Sequence, residues 1–209
     1  MVFRLNSALI FPDPALADED GLLAVGGDLS EERLVLAYQN GIFPWYSEGE
    51  PILWYNPHER FVIFPDEVCI SHSMQQLIRS AKYEVTWDKD FAEVINQCSR
   101  IQRKGQRGTW INQDMIDAYT KLHKKGKAHS VEVWNDDKLV GGLYGVETGN
   151  VFCGESMFSL KPNASKLALI YLCQTKGYKL IDCQLHNPHL ESMGGRYIDR
   201  NAYMDFLKS

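Results

Sequence analysis

At 209 residues, 44% hydrophobic and 23% charged, the chain is long enough to bury a sizeable core and too apolar to be disordered. No apolar run approaches the roughly 18 residues of a membrane span, and Met1-Val2-Phe3-Arg4-Leu5 opens no long apolar leader, so a cytoplasmic protein with no membrane partner is expected. The net charge of −5 argues against a polyanion partner, but it is unevenly spread: residues 1–67 carry 12 Asp and Glu against 3 Lys and Arg, and residues 68–209 carry 15 against 19.

Residues 1–28 read as loop-rich, with Pro12, Pro14, Gly21, Gly26 and Gly27. Gly26-Gly27-Asp28 signals a turn and lacks the Lys-Ser/Thr that a phosphate loop needs. Ser30 is placed to cap a helix, with Glu31 and Glu32 in its first turn, Leu29 and Leu34 as a staple and Gly41 at its end. Two aromatic stretches follow, Ile42-Phe43-Pro44-Trp45-Tyr46 and Ile52-Leu53-Trp54-Tyr55. Large rings interrupted by Pro, Gly and Ser suit either a stacking surface for nucleobases or a small aromatic core. Phe61–Phe64 reads as a strand, and the switch in charge puts a domain boundary near here, giving a small domain at 1–63 and a larger one at 64–209.

The larger part opens with a short helix at Ser73–Ser80 and a strand at Tyr83–Trp87. Asp88 is read as the cap of the next helix, which runs to about Ile101. A basic, Gly-rich loop, Arg103 to Trp110, has amides and cations suited to phosphates. Asn112 caps a helix with Met115, Ile116, Tyr119 and Leu122 on one face. The basic residues Arg100, Arg103, Lys104, Arg107, Lys121, Lys124 and Lys125 cluster along this region as a polyanion surface or a solvated helix face. Strands Ala128–Trp134, Leu139–Val146 and Val151–Phe158 form an antiparallel meander joined by Asn135-Asp136-Asp137 and Thr148-Gly149-Asn150. A helix at Ala164–Lys176 and a strand at Lys179–Gln184 complete the pattern. The order helix, three-strand meander, helix, strand describes an α/β (α+β) domain with a mixed sheet, the order of GNAT-like acyltransferases.

Two apolar strands each hold a carboxylate in the middle: Glu155 in Val151–Phe158 and Asp182 in Lys179–Gln184. A buried charge is costly unless paired or used, so both are candidates for a site, or for structural carboxylates held by Arg or backbone. Alternation on a strand puts Asp182 with Gln184, and Glu155 with Cys153 and Met157.

Several segments together resemble the leucyl/phenylalanyl-tRNA–protein transferases of bacteria. They are Gly21-Leu22-Leu23-Ala24-Val25-Gly26-Gly27-Asp28-Leu29-Ser30, Gly41-Ile42-Phe43-Pro44-Trp45, Ile52-Leu53-Trp54, Gly108-Thr109-Trp110-Ile111, His129-Ser130-Val131-Glu132-Val133-Trp134, Val140-Gly141-Gly142, Phe152-Cys153-Gly154-Glu155-Ser156-Met157-Phe158-Ser159, Asn163-Ala164-Ser165-Lys166 and Ile181-Asp182-Cys183-Gln184. They fall in one order from about residue 10 to 190, and the tail after Gln184 departs from the pattern. The resemblance implies a small N-terminal domain on a GNAT-like domain. The implied reaction transfers Leu, Phe or Met from aminoacyl-tRNA to the α-amine of a protein beginning with Arg or Lys, marking it for degradation. It needs no CoA, metal or other cofactor, because the ester is already activated, and a monomer is expected.

The attacking α-amine has an ordinary pKa near 7.7–8.0 and must lose a proton. The resemblance and the carboxylates together assign proton handling to Asp182, with Gln184 beside it, and the holding of a cationic amine to Glu155. Leu143, Met157, Leu169 and Leu172 are nominated for the donor side chain, Trp45 and Trp110 for the terminal adenosine, and the cations of 100–125 for acceptor-stem phosphates. Rival readings are a CoA-dependent N-acyltransferase, a related transferase that places Leu on N-terminal Asp or Glu, thiol catalysis by Cys153 or Cys183 with His129, a metal at Cys183, His186 and His189, and an inactive tRNA- or degron-binding module.

Overall fold

The computed structural model describes residues 2–101 and 110–208. A small sheet forms from β1 (Phe3–Leu5), β2 (Leu22–Gly26), β3 (Phe43–Pro44) and β4 (Leu53–Tyr55), in the order β1-β2-β4-β3. The first two strands fall where sequence reading expected loops: they are short, and Pro and Gly dominate the chain between them. Helix α1 (Glu31–Gln39) starts after Ser30 and ends at Gly41, whose φ of 68° only Gly adopts cheaply.

The larger sheet has seven strands. They are β5 (Glu59–Ile63), β6 (Glu84–Trp87), β7 (Ala128–Asn135), β8 (Lys138–Thr148), β9 (Val151–Ser159), β10 (Leu180–Gln184) and β11 (Arg196–Asp199), in the order β11-β5-β10-β9-β8-β7-β6. The expected meander is β7-β8-β9. Only β9 and β10 run parallel; every other neighbouring pair is antiparallel. Strand β5 lies inside this sheet, between β11 and β10.

Both faces of the sheet are covered. Helices α3 (Phe91–Arg100) and α4 (Gln113–Lys124), with α1 and the C-terminal α7 (Arg200–Lys208), pack on one face. Helices α5 (Ala164–Thr175) and α2 (His72–Arg79) pack on the other. The cap of α3 is Asp90, which accepts from the Glu93 amide; Asp88 instead turns at φ 56° and accepts from the Ser130 amide and from His129 Nδ1. Asn112 caps α4 as expected. The tail, unread from sequence, forms α6 (Pro188–Glu191), β11 and α7.

Candidate active site

The parallel ladder between β9 and β10 is short. It pairs Leu180 with Val151, Ile181 with Phe152 and Asp182 with Cys153, and then stops. Beyond that point each strand is irregular against its other neighbour. On β9 the register against β8 slips at Glu155, since Tyr144 faces Ser156 and Gly145 faces Gly154. On β10 it slips at Cys183, since Asp182 faces Val62 and Gln184 faces Phe61. Such bulges bend a strand and re-aim its side chains. The two strands part here, and Glu155 and Gln184 stand in the gap.

The slip at Glu155 has a consequence for the faces. Cys153 and Phe158 belong to the core under α3 and α4, whereas Met157 packs against the core under α5. Met157 therefore does not share a face with Glu155, as strict alternation had implied. It joins Leu143, Leu169 and Leu172 instead.

A cleft of about 720 Å³ opens over the gap. Its lining takes Leu143, Met157, Leu169 and Leu172 from the α5 side and Phe43, Trp45 and Trp110 from the α1–α4 side, with Glu155 and Gln184 between. Trp45 is 37% exposed. All four donor-pocket nominees and both tryptophans thus meet in one cavity.

Glu155 is buried but borders this cleft. Its Oε1 accepts from Tyr38 Oη at 2.7 Å and from Gln184 Nε2 at 2.8 Å, and Tyr119 Oη lies 3.3 Å from Oε2. Burial pushes its pKa up to about 7; the hydrogen bonds oppose this and the nearby charge of Asp182 adds to it. Tyr38 and Tyr119 are bonded to each other as well, and burial together with the Glu155 charge holds both phenols far above their ordinary value. Each hydroxyl carries one proton, so Tyr119 donates to Tyr38 and Tyr38 donates to the carboxylate. No cation is bonded to Glu155 among the described residues.

Asp182 is the more deeply held of the two carboxylates. It is 1% exposed and does not border the cleft. Arg60 Nε lies 3.1 Å from its carboxylate, Tyr203 Oη donates to Oδ2 at 2.8 Å, and the Gln184 amide donates to Oδ1 at 2.8 Å. The last bond holds Gln184 at φ 64°, an uncommon conformation for a residue other than Gly. Gln184 thereby aims its side chain at Glu155. One of its two amide N–H groups is spent there, and its carbonyl oxygen is an acceptor for a group in the cleft.

The cations nominated for polyanion binding separate. Arg100 is exposed at the end of α3, beside Ile101 of the cleft wall. Lys121, Lys124 and Lys125 are exposed at the far end of α4, about 12–18 Å along the helix from its start at the cleft rim. Arg103, Lys104 and Arg107 lie outside the described residues.

Sequence reasoning missed four members of the network: Tyr38, Arg60, Tyr119 and Tyr203. Each comes from a different element remote in sequence. The signal available was physical: a buried tyrosine needs a partner for its hydroxyl, and a buried carboxylate needs an arginine. Cys153 is fully enclosed, 3.7 Å from Tyr203 Oη, and burial pushes its thiol far up. His129 is engaged by Asp88 and stacked on Trp87. Among the described residues no three His, Cys, Asp or Glu side chains gather as a metal site would require.

Family models match nearly the whole chain. Residues 27–58 match the leucyl/phenylalanyl-tRNA protein transferase N-terminal domain, and residues 62–208 match leucyl/phenylalanyl-tRNA protein transferase. The chain belongs to the leucyl/phenylalanyl-tRNA–protein transferase family. A protein of that name from Flavobacterium johnsoniae is 56% identical over 100% of both chains. Those from Flavobacterium psychrophilum and Syntrophobacter fumaroxidans are 54% and 53% identical, covering 98% and 99% of this chain and 98% and 89% of their own. Among solved structures, L-PGS from Bacillus licheniformis aligns with 79% of this chain and 54% of its own at a TM-score of 0.43 and 14% identity. The transferase family's two matched segments meet between residues 58 and 62, close to where β5 enters the large sheet.

Proposed function

We propose that this protein transfers Leu, Phe or Met from the 3′ end of aminoacyl-tRNA to the α-amine of proteins beginning with Arg or Lys, and so marks them for degradation. The observation that carries the reading is the position of Glu155 and Gln184 in the strand gap, between an apolar pocket and an aromatic rim. The donor side chain enters among Leu143, Met157, Leu169 and Leu172. The terminal adenosine stacks at Trp45 and Trp110. The ester then lies over the gap, with the acceptor amine beside it. Acceptor-stem phosphates are within reach of Arg100, and the α4 lysines serve the stem further out.

The geometry favours a different division of labour from the one first expected. Asp182 is saturated by Arg60, Tyr203 and the Gln184 amide and lies behind the cleft wall. Glu155 borders the cleft and is raised to about 7, close to the pKa of the amine it would serve. The amine nitrogen attacks the ester carbonyl carbon, and the bond from that carbon to the ribose oxygen breaks. Glu155 takes the proton the amine loses and returns it to the departing oxygen. Gln184 accepts a hydrogen bond from the amine through its carbonyl oxygen and aligns it. Alignment supplies much of the rate, since an amine and an activated ester already react unaided.

The test mixes leucyl-tRNA with a peptide beginning in Arg and follows the new peptide bond. Transfer to that peptide, with weak transfer to one beginning in Glu, is the expected result. Equal transfer to both would refute the acceptor assignment, and acyl transfer from acetyl-CoA instead of tRNA would refute the donor assignment.

A further inference from the structure

Arg60 sits between the parts of the site that its neighbours control. Its Nε faces Asp182, while its Nη2 donates to the carbonyl of Gly41 at 2.7 Å. The ring of Phe43 covers one side, 4.9 Å from the guanidinium carbon, and the ring of Tyr203 lies at 4.4 Å. Burial works against its charge, but Asp182 together with Tyr203 outweighs that and holds the guanidinium more firmly protonated than a free arginine. One side chain thus ties Gly41 and Phe43, which lead directly into Pro44 and Trp45 of the cleft wall, to the carboxylate that fixes Gln184. Tyr203 reaches the same carboxylate from the C-terminal helix α7.

A buried ion pair of this kind adds little stability over an apolar replacement, so its worth lies in geometry. We propose that Arg60 and Tyr203 are positioning residues for the transfer reaction: they immobilise Asp182, which sets the backbone of Gln184 and through it the side chain that meets Glu155. Neither borders the cleft, and neither exchanges a proton with substrate. The proposal rests on the functional reading above for its kinetic part only. The C-terminal helix then contributes to the positioning of Gln184, because one hydroxyl on it helps to hold Asp182.

The test uses the full-length protein with Tyr203→Phe, which keeps the ring over Arg60 and removes only the hydroxyl. Arg60→Lys is a second variant, which keeps the charge and loses the fork. Tyr203→Phe should lower kcat by about three- to tenfold, the worth of one hydrogen bond, with the KM for leucyl-tRNA unchanged. In a Gln184→Ala background the same change should cost nothing further, because its route to the reaction is already cut. Independently of any substrate, the side-chain amide resonance of Gln184 should move in Tyr203→Phe. A wild-type kcat in Tyr203→Phe, a loss that multiplies with that of Gln184→Ala, or an unmoved Gln184 amide would each overturn the positioning role. A wild-type protein that transfers nothing, while the Gln184 amide does move, would instead sink the functional reading and leave the positioning intact.

Discussion

Gln184 Nε2 donates to Glu155 Oε1 across 2.8 Å, bridging β10 and β9 just past the point where their ladder ends. This bond spans the gap that the cleft overlies, and it leaves Glu155 as the ionisable carboxyl on the cleft surface.

Glu155→Gln keeps a carbonyl acceptor for Tyr38 and Gln184 but cannot take a proton. Loss of a general base costs about 10²- to 10⁴-fold, so kcat/KM should fall within that range. The pH dependence is the sharper check. On the proposed mechanism the wild-type rate below pH 7 requires both an ionised Glu155 and a neutral amine, so log kcat/KM should climb with a slope near 2. The variant should climb with a slope near 1, from the amine alone. Equal slopes would return the proton to another group.

The same carboxyl should leave a mark on stability. Its pKa is raised from 4.5 to about 7 on folding, so between those values the folded state holds a proton that the unfolded state has lost. Its contribution is fully present below pH 4.5 and is lost as pH rises through 7. Relative to Glu155→Gln, the wild type should therefore lose about 2–4 kcal/mol between pH 4 and pH 8. Urea unfolding of both proteins at the two pH values measures the difference, and the other titrating groups cancel in it. A difference that does not change with pH would mean that Glu155 titrates normally.

Much of this was legible in the chain. The meander, α5 and β10 follow from apolar periodicity and turn residues, and the two carboxylates stood out because charge is expensive in apolar strands. What could not be read is where the register slips. Alternation put Glu155 and Met157 on one face, and the irregularity opposite Tyr144 and Gly145 put them on two. Nor could spacing reveal that Asp182 is spoken for. Its partners Arg60 and Tyr203 are 122 and 21 residues away, and only the pairing of β10 with β5 and the packing of α7 bring them together. Asp88 and Asp90 show the same limit on a small scale: both are good caps, and a positive φ at the first decides between them.

Donor choice should respond to Met157, a flexible side chain that is only partly buried and lines the apolar arm of the cleft. Met157→Phe stiffens and fills that arm. Transfer of Phe should then fall against transfer of Leu by about 10- to 200-fold, the range one pocket contact commands. The ratio of kcat/KM for the two charged tRNAs measures it. An unchanged ratio would place the donor side chain elsewhere in the cleft.

The rim makes a separate claim about the nucleic acid. Trp45 is 37% exposed, borders the cleft, and its ring lies 6.1 Å from Tyr55 at a tilt of 58°. Stacking on an aromatic is worth about 1–3 kcal/mol per base, so Trp45→Ala should raise the KM for leucyl-tRNA by about 5- to 150-fold. On the proposed placement the ring touches the adenosine and not the reacting atoms, so kcat at saturating tRNA should stay near the wild-type value. Trp45→Phe keeps a stacking face and should recover most of the loss. Adenosine 5′-monophosphate, which carries the base without the ester, should compete with leucyl-tRNA in the wild type and compete poorly in Trp45→Ala. A fall in kcat with no change in KM, or competition that survives the alanine, would move the adenosine off this tryptophan and leave Trp110 as the stacking partner to examine by the same measurements.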